Sequence, residues 1–371
     1  MAKVCHMTNV HGVEDVRIFQ KECVSLAKAG YEVYLVERGE SYEKNGVHIV
    51  GVGDIPADRR RRMTEGARKV YEAARALDAD IYHFHDPELL PYGLKLKKAG
   101  KKVIFDSHED YRVMLKYKPY LPAWICRIVA AAYSRYEQRV LRQIDGVIFP
   151  ALKDGRHPFA GQCRHLAVVN NVPRMEELYD LYDPGIQKYE RSVVYIGIMT
   201  YNRGITHMIQ AASRCSCTAY LGGDFSTEEY QAEIQALPEY ACVHYLGHLS
   251  RQEVLKTLQH CQIGMANILN VAQYNQYDNL ATKVYEYMSL GIPVILSDSP
   301  YNTQVMEKYH CGICVKPDDV DAVANAIRYL LDHPDEARRM GENGRRAVRE
   351  EFNWDSEAKK LTAFYAEILK D

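Results

Sequence analysis

The chain has 371 residues, 47% hydrophobic and 26% charged, an ordinary globular composition that predicts roughly two domains. No run of residues approaches the ~18 consecutive apolar residues that cross a bilayer, and the first residues resemble a strand rather than a secretory signal. The ten cysteines are scattered without zinc-site spacing, so we expect reduced thiols and a cytoplasmic protein.

The net charge of −2 conceals an uneven distribution. Residues 1–172 hold 28 Lys and Arg against 21 Asp and Glu, whereas the remainder holds 19 against 28. A basic first half and an acidic second half indicate that the first half meets an anionic partner.

Short apolar runs alternate with helical patterns along the first half. We expect strands over 3–7, 31–36, 47–52, 81–84, 103–105 and 146–150 and helices over 57–77 and 124–142. Such alternation is typical of a parallel sheet with helices on both faces.

The alternation stops at a polar stretch and then begins again. We expect further strands over 192–197, 217–221, 242–246, 263–266, 293–296 and 312–315. The predicted fold class is therefore α/β, with two doubly wound, Rossmann-like domains facing a central cleft. The predicted boundaries are 1–173 for the first domain, 174–191 for a linker, 192–350 for the second domain, and 351–371 for a last helix that can cross back.

One stretch of the second half, residues 278–295, combines a polar loop, a helix start and a buried strand. A helix N-terminus offers free N–H groups to a phosphate, and Thr282 and Lys283 add a hydroxyl and a cation. Glu286 lies one turn further along, where its carboxylate can accept two ribose hydroxyls. The alternative interpretation is an ordinary solvent-facing first turn.

These residues resemble the family-4 retaining glycosyltransferases of the GT-B fold, in particular members that build bacterial surface polysaccharides. That family carries two acids separated by seven residues, then a Met, a Gly and Pro-Val; here Asp278 replaces the first Glu, and Glu286 is the second acid. The resemblance implies that Glu286 holds the donor ribose and that Asp278 contacts the donor sugar as a catalytic residue. It also implies that Arg203 and Gly204, with Lys283, bind the diphosphate.

The resemblance assigns further roles in the first half. His85, which follows a predicted strand, matches a family histidine near the diphosphate and acceptor and is a predicted catalytic residue. Gly12 stands where the family brings backbone amides to the diphosphate. From their position in a polar cluster at the carboxyl end of the next strand, and not from the resemblance, His108 and Glu109 are assigned to the acceptor side, although a simple hydrogen-bonded loop is an equal alternative.

The implied reaction moves a sugar, with retention, from a nucleotide sugar to a saccharide or lipid-linked acceptor in cell-surface polysaccharide synthesis. UDP and GDP are the favoured nucleotides. No cofactor and no metal are expected, because cations and helix dipoles can neutralise the leaving diphosphate. Hinge motion near 174–190 would close the cleft. A GT-B-fold epimerase and a non-catalytic nucleotide-sugar or glycan-binding protein are the alternatives.

The basic first half suggests contact with an anionic membrane surface, which would make the protein peripheral on the inner membrane face. The predicted contact residues are four consecutive arginines, Arg59, Arg60, Arg61 and Arg62. Residues 112–142 add further basic and aromatic side chains. A solvated charged face is the alternative. Nucleic-acid binding is not expected, because no known module is recognisable.

Overall fold

The structure is a computed structural model that describes residues 1–117, 122–271 and 274–371. The chain forms two compact units: unit 1 contains 1–171 and 354–371, and unit 2 contains 172–353. Four residues of the basic stretch 112–142, namely 118–121, lie outside the described residues. Among the described helices, none combines the length and the apolar character that crossing a membrane would require.

Unit 1 is built on an eight-stranded sheet in the order β3-β4-β2-β1-β5-β6-β7-β8. Its strands pair in parallel except for the edge strand β3, which pairs antiparallel to β4. The strands are β1 Lys3–Met7, β2 Glu32–Glu37, β3 Tyr42–Lys44, β4 Val47–Gly51, β5 Ile81–Phe84, β6 Lys102–Asp106, β7 Gly146–Phe149 and β8 His165–Val168.

The helices of unit 1 cover the sheet and include the last helix of the chain. They are α1 Val24–Lys28, α2 Arg59–Arg61, α3 Ala67–Ala76, α4 Leu90–Lys98, α5 Tyr111–Met114, α6 Ala123–Leu141 and α15 Trp354–Lys370. Wider, π-type turns precede two of them, Val16–Cys23 before α1 and Arg62–Gly66 before α3, and single 3₁₀ turns lie at Pro87–Leu89 and Leu115–Tyr117.

Unit 2 is built on a six-stranded, all-parallel sheet in the order β11-β10-β9-β12-β13-β14. Its strands are β9 Ser192–Ile196, β10 Thr218–Gly222, β11 Val243–Gly247, β12 Ile263–Ala266, β13 Val294–Ser297 and β14 Gly312–Val315. Its helices are α7 Met175–Leu178, α8 Ile205–Arg214, α9 Glu228–Gln235, α10 Arg251–His260, α11 Thr282–Ser289, α12 Pro300–Tyr309, α13 Val320–Asp332 and α14 Pro334–Glu350, with 3₁₀ turns at Tyr179–Leu181, Tyr201–Arg203 and Pro238–Cys242.

The predicted α/β fold of two Rossmann-like units is confirmed, and each predicted strand is present within two residues of its expected ends. The central strands were predictable because parallel strands buried on both faces are continuous apolar runs. Strands β3 and β8 were missed. All of β3 is exposed and β8 is half-buried, so neither carries that apolar signal.

The expected linker, 174–191, contains structure that packs within unit 2. Val172 and Leu178 belong to its hydrophobic core, and the guanidinium of Arg345 lies 3.9 and 4.0 Å from the ring centroids of Tyr179 and Tyr182. The polar, Tyr- and Asp-rich composition suggested an interdomain linker. Within unit 2, the aromatic rings of Tyr179 and Tyr182 stack on Arg345 of α14.

Candidate functional site

In unit 2, two helices begin beside the carboxyl end of the central strand β9. Gly204, which precedes α8, has φ +72°, and a Cβ there would lie 2.2 Å from the carbonyl oxygen of Asn267. Only glycine fits this turn, so the backbone of α8 starts close against the loop that follows β12. Arg203, one residue earlier, places its guanidinium 4.9 Å from the ring centroid of Tyr274.

Lys283 brings a second cation to the same edge of the sheet. It lies in the first turn of α11, with Nζ 3.6 Å from the ring centroid of Tyr195, and Nζ would be 3.3 Å from a Cβ at Gly197. Burial, followed by the nearby charge of Arg203, lowers the pKa of Lys283 well below its ordinary value, and Glu286 offsets part of this. Among the described residues, neither cation has a carboxylate ion-pair partner.

Side chains cap some helices of unit 2, whereas α8 and α11, like α7 and α14, begin without a side-chain cap. Ser and Thr or Asp side chains cap the first turns of α9, α10, α12 and α13, whereas α8 and α11 start without a side-chain hydrogen bond. Thr282, the first residue of α11, is exposed. Uncapped first-turn N–H groups remain able to bind an anion.

Glu286 has a partner that the sequence analysis missed. Its Oε1 accepts a hydrogen bond from Nη1 of Arg251 at 2.7 Å, and the Glu286 side chain is 20% exposed. Arg251 is the first residue of α10, directly after the Ser250 cap. The signal available in the sequence was a basic residue, Arg251, at the start of a helix that follows a strand. Asp278 is partly exposed and lies in the loop before α11.

In unit 1, the first βα loop is fastened to the end of β5 through Asp86. Its Oδ2 accepts hydrogen bonds from Thr8 Oγ1 at 2.8 Å and Asn9 N at 2.7 Å, and its Oδ1 lies 3.1 Å from His11 Nδ1. Although burial opposes it, the hydrogen bond and charge of Asp86 raise the pKa of His11. Gly12 lies exposed in this loop, with open space around it.

Asp106, at the end of β6, is the buried centre of a second polar group. Arg17 donates to it twice, from Nε at 2.9 Å and Nη2 at 3.0 Å, and His108 Nε2 and His85 Nδ1 lie 3.0 and 3.3 Å from its Oδ2. Burial opposes ionisation, but Arg17 and the two histidines hold the pKa of Asp106 well below its usual range. Burial and the charge of Asp106 raise the pKa of neighbouring Glu22, whose Oε1 lies 3.1 Å from Arg17 Nε.

His85 itself is fully buried, and both of its ring nitrogens have partners. Nε2 lies 3.0 Å from His6 Nδ1, and Nδ1 faces His108 and Asp106. His108 and His11, whose side chains are 16% and 22% exposed and whose rings lie 4.7 Å apart, are the members that solvent can reach. Glu109 is exposed, and its carbonyl accepts a hydrogen bond from Ser107 Oγ.

The same histidines have a spacing at which metals bind. Ligand atoms lie within 4.8 Å of one another in two groups: His85, Asp106 and His108; and His6, Glu22, His83 and His85. However, Arg17 already neutralises Asp106, and a guanidinium on the same carboxylate repels a divalent cation. The ring nitrogens of His6 and His85 also hydrogen-bond each other, so this arrangement favours a polar network over a metal centre.

The predicted membrane-facing arginines are not equivalent. Arg59 and Arg60 are exposed, while Arg61 pairs with Glu65 and Arg62 pairs with Glu88. Arg62 thereby contacts the loop after β5, and its carbonyl accepts from Asn9 Nδ2.

Two family models match the chain. Residues 19–153 match Glycosyltransferase Family 4, and residues 182–347 match Glycosyl transferases group 1. The two domains are glycosyltransferase domains of the GT-B fold. The matched segments include Asp86 and Asp106 of unit 1 and the residues around β9 and α11, while the first βα loop and Arg17 precede the first match.

The chain is similar to a curated relative in sequence and to two solved structures in fold. The chain is 25% identical to the D-rhamnosyltransferase WbpZ of Pseudomonas aeruginosa, over 75% of this chain and 71% of the relative. Sucrose-phosphate synthase of Thermosynechococcus elongatus superposes with a TM-score of 0.78 at 17% identity, over 100% of both chains. HepE of Anabaena, solved in complex with UDP, gives 0.68 at 13% identity, over 99% of this chain and 100% of that one. The chain spans only 40 to 51% of the length of several other curated relatives.

Proposed function

We propose that this protein transfers a sugar from a nucleotide sugar to a saccharide or lipid-linked acceptor with retention of configuration, in the synthesis of a cell-surface polysaccharide. The observation that carries the proposal is the pair of cations, Arg203 and Lys283, beside the uncapped starts of α8 and α11. A cationic edge with free N–H groups is suited to a departing diphosphate, whose charge grows as the glycosidic bond breaks.

In this proposal, unit 2 holds the donor. Arg203, Gly204, Thr282 and Lys283 bind the diphosphate through two cations, one hydroxyl and backbone N–H groups. Glu286 accepts the ribose hydroxyls, so its hydrogen bond with Arg251 is exchanged for ribose contacts when the donor enters. Asp278 contacts the sugar. Because two cations and two helix N-termini are available for the charge, we infer that transfer proceeds without a metal.

The acceptor side is assigned to unit 1. The polar cluster around Asp106 lies at the carboxyl end of β6, where parallel α/β sheets bind their ligands. His108 is the imidazole of this cluster that solvent can reach, and Glu109 is exposed beside it. His85 is buried beneath them and contacts Asp106. Gly12 leaves open space in the loop that Asp86 holds. The two alternatives, an epimerase and a non-catalytic binding protein, have no support from the relatives.

We further propose that unit 1 meets an anionic membrane surface, where a lipid-linked acceptor would reside. Trp124 and Ile128, 65% and 60% exposed, lie one turn apart on α6, with Arg127 and Arg135 exposed alongside them. An exposed indole with neighbouring arginines is suited to the interface of anionic lipids. Arg59 and Arg60 add charge to the same unit.

A thermal-shift screen tests the donor assignment. UDP, GDP, ADP, CMP and dTDP are added to the native protein and to Glu286→Ala, in the presence of a chelator. A nucleotide at 100 times its Kd should stabilise the native protein by about 2.7 kcal/mol. We expect UDP or GDP to do so, as the UDP complex of HepE suggests, and Glu286→Ala to lose most of the response.

Glu307→Ala is the matched control, because Glu307 is an exposed glutamate on α12 of the same unit. It should respond as the native protein does. The donor assignment is wrong if no nucleotide stabilises the native protein, or if Glu286→Ala and Glu307→Ala respond equally.

A further inference from the structure

A chain of hydrogen-bonding side chains runs through the core of unit 1, from α15 to the His108 loop. His83 Nδ1 lies 2.6 Å from the Tyr365 hydroxyl, which lies 3.1 Å from His6 Nε2. His6 Nδ1 lies 3.0 Å from His85 Nε2. These side chains are fully buried, so each polar atom depends on its neighbour in the chain.

The three buried histidines are neutral. Burial lowers the pKa values of His6 and His83 well below the ordinary range, and burial lowers that of His85 to about 4. A neutral imidazole has one N–H donor and one lone-pair acceptor. The donors can therefore all point towards His108 and Asp106, or all point back towards His83.

Asp106 decides between the two directions. His85 Nδ1 and His108 Nε2 both lie within 3.3 Å of its Oδ2, and a carboxylate can only accept. A bare lone pair on either nitrogen would face a lone pair of the oxygen, so both nitrogens carry hydrogen. The Nε2 of His85 is then an acceptor, which fixes His6 as the Nδ1–H tautomer and makes the Tyr365 hydroxyl the donor to His6 Nε2.

The far end of the chain agrees with this direction. Tyr365 oxygen accepts from His83 Nδ1–H, so His83 Nε2 is left as a lone pair. That atom is buried and lacks a hydrogen-bond partner within the described part of the chain. The reverse direction would leave a buried, unpaired N–H there, which native structures avoid more strongly.

We propose that Asp106 sets a one-way chain, Tyr365 to His6 to His85 to Asp106, whose buried members are positioning residues for His108. With Nε2–H directed to Asp106, His108 keeps Nδ1 as a lone pair that can accept a hydrogen bond from an acceptor hydroxyl. This last role rests on the proposed function. Tyr365 of the C-terminal helix α15, 257 positions beyond His108, thereby contributes to the acceptor side.

Nitrogen NMR of the full chain with ¹⁵N-labelled histidine shows directly which ring nitrogen of each histidine carries hydrogen. At pH 8 we expect His6 and His85 as Nδ1–H tautomers and His108 as the Nε2–H tautomer, with signals assigned from single histidine replacements. An Nε2–H tautomer at His85, or an Nδ1–H tautomer at His108, overturns the proposal. Because no transfer is required, this outcome is independent of whether the nucleotide screen succeeds.

Two matched variants test the role of the Tyr365 hydroxyl. Tyr365→Phe removes the donor to His6 and should move the His6 Nε2 signal to that of an unbonded lone pair. Tyr31→Phe, in a ring packed edge-on against Tyr365 at 5.7 Å, should leave His6 unchanged. Equal His6 spectra in the two variants contradict the chain. Should Tyr365→Phe fail to fold, the tautomers of the native protein still decide.

Discussion

At the scale of single residues, the two units use the cations near their strand ends differently. Arg17 in unit 1 is matched by a bidentate carboxylate and has a structural role around Asp106. Arg203 and Lys283 in unit 2 lie close enough to repel each other, and that repulsion contributes to the lowered pKa of Lys283. A pair of cations held this way gains most from an incoming anion, which is why the donor site is placed there.

The pKa of Lys283 leads to a prediction about proton uptake. Burial and the nearby charge of Arg203 lower the pKa of Lys283, so its neutral form is more favoured than that of an exposed lysine. A bound diphosphate favours the ammonium form and raises that pKa, so binding should take up protons. We expect calorimetry at pH 8 with UDP or GDP to give enthalpies that vary with the ionisation enthalpy of the buffer.

Lys283→Met, which keeps much of the side-chain length without the charge, is the comparison for this experiment. It should bind the nucleotide more weakly and without buffer-dependent uptake. If the native protein shows the same enthalpy in every buffer, Lys283 is already charged before the ligand arrives. That result would contradict the prediction that Lys283 takes up a proton when the diphosphate binds.

At the scale of elements, the start or the exposed face of a helix indicates whether it has a structural or a functional role. Helix α10 begins with a capping box in which Ser250 and Glu253 bond each other's backbone, and this satisfies its first turn. Helix α11 begins at Thr282, and its N-cap residue, Ala281, provides no such bond. Helix α6 buries Cys126, Ala130 and Val140 on one face and exposes Trp124 on another.

The exposed face of α6 can be tested with vesicles. Replacing Trp124 and Ile128 together by serine should weaken binding to anionic liposomes by about tenfold or more, because two large apolar side chains no longer enter the interface. Co-sedimentation with anionic and neutral liposomes measures this. Leu369→Ser, at an exposed leucine of α15, is the control and should bind as the native protein does. Equal binding of the native protein to both liposomes would contradict the membrane proposal.

At the scale of the whole molecule, the chain leaves unit 1 for unit 2 and returns through α15. Phe364 and Ile368 of α15 belong to the core of unit 1, and a Cβ at Gly146 would lie 2.6 Å from the Phe364 ring. The last helix is therefore part of the first unit's stability. Its Tyr365 also joins the chain of buried histidines.

The integration of α15 predicts which amides respond to a cavity. Phe364→Ala should destabilise unit 1 by about 3–5 kcal/mol, because a buried ring is lost from a packed core. Hydrogen exchange should then accelerate across 1–171 and remain unchanged across 172–353. Ile327→Ala, in the core of unit 2, should show the opposite pattern. Uniform acceleration in either variant would mean that the two units unfold as one.

The sequence by itself determined the order of strands and helices, because strands buried on both faces must be apolar throughout. It also located the α11 motif, since the loop, the cation and Glu286 lie within nine residues. Exposed edges such as β3 gave no such signal.

Only the tertiary structure decided how distant side chains meet. Arg251 and Glu286 are 35 residues apart, and Tyr365 and His6 are 359 apart. The sequence could place His85 after a strand but could not show that its neighbours would fill both nitrogens and leave His108 to face solvent. Such pairings follow from sheet order, which brings strand ends together whatever their separation in the chain.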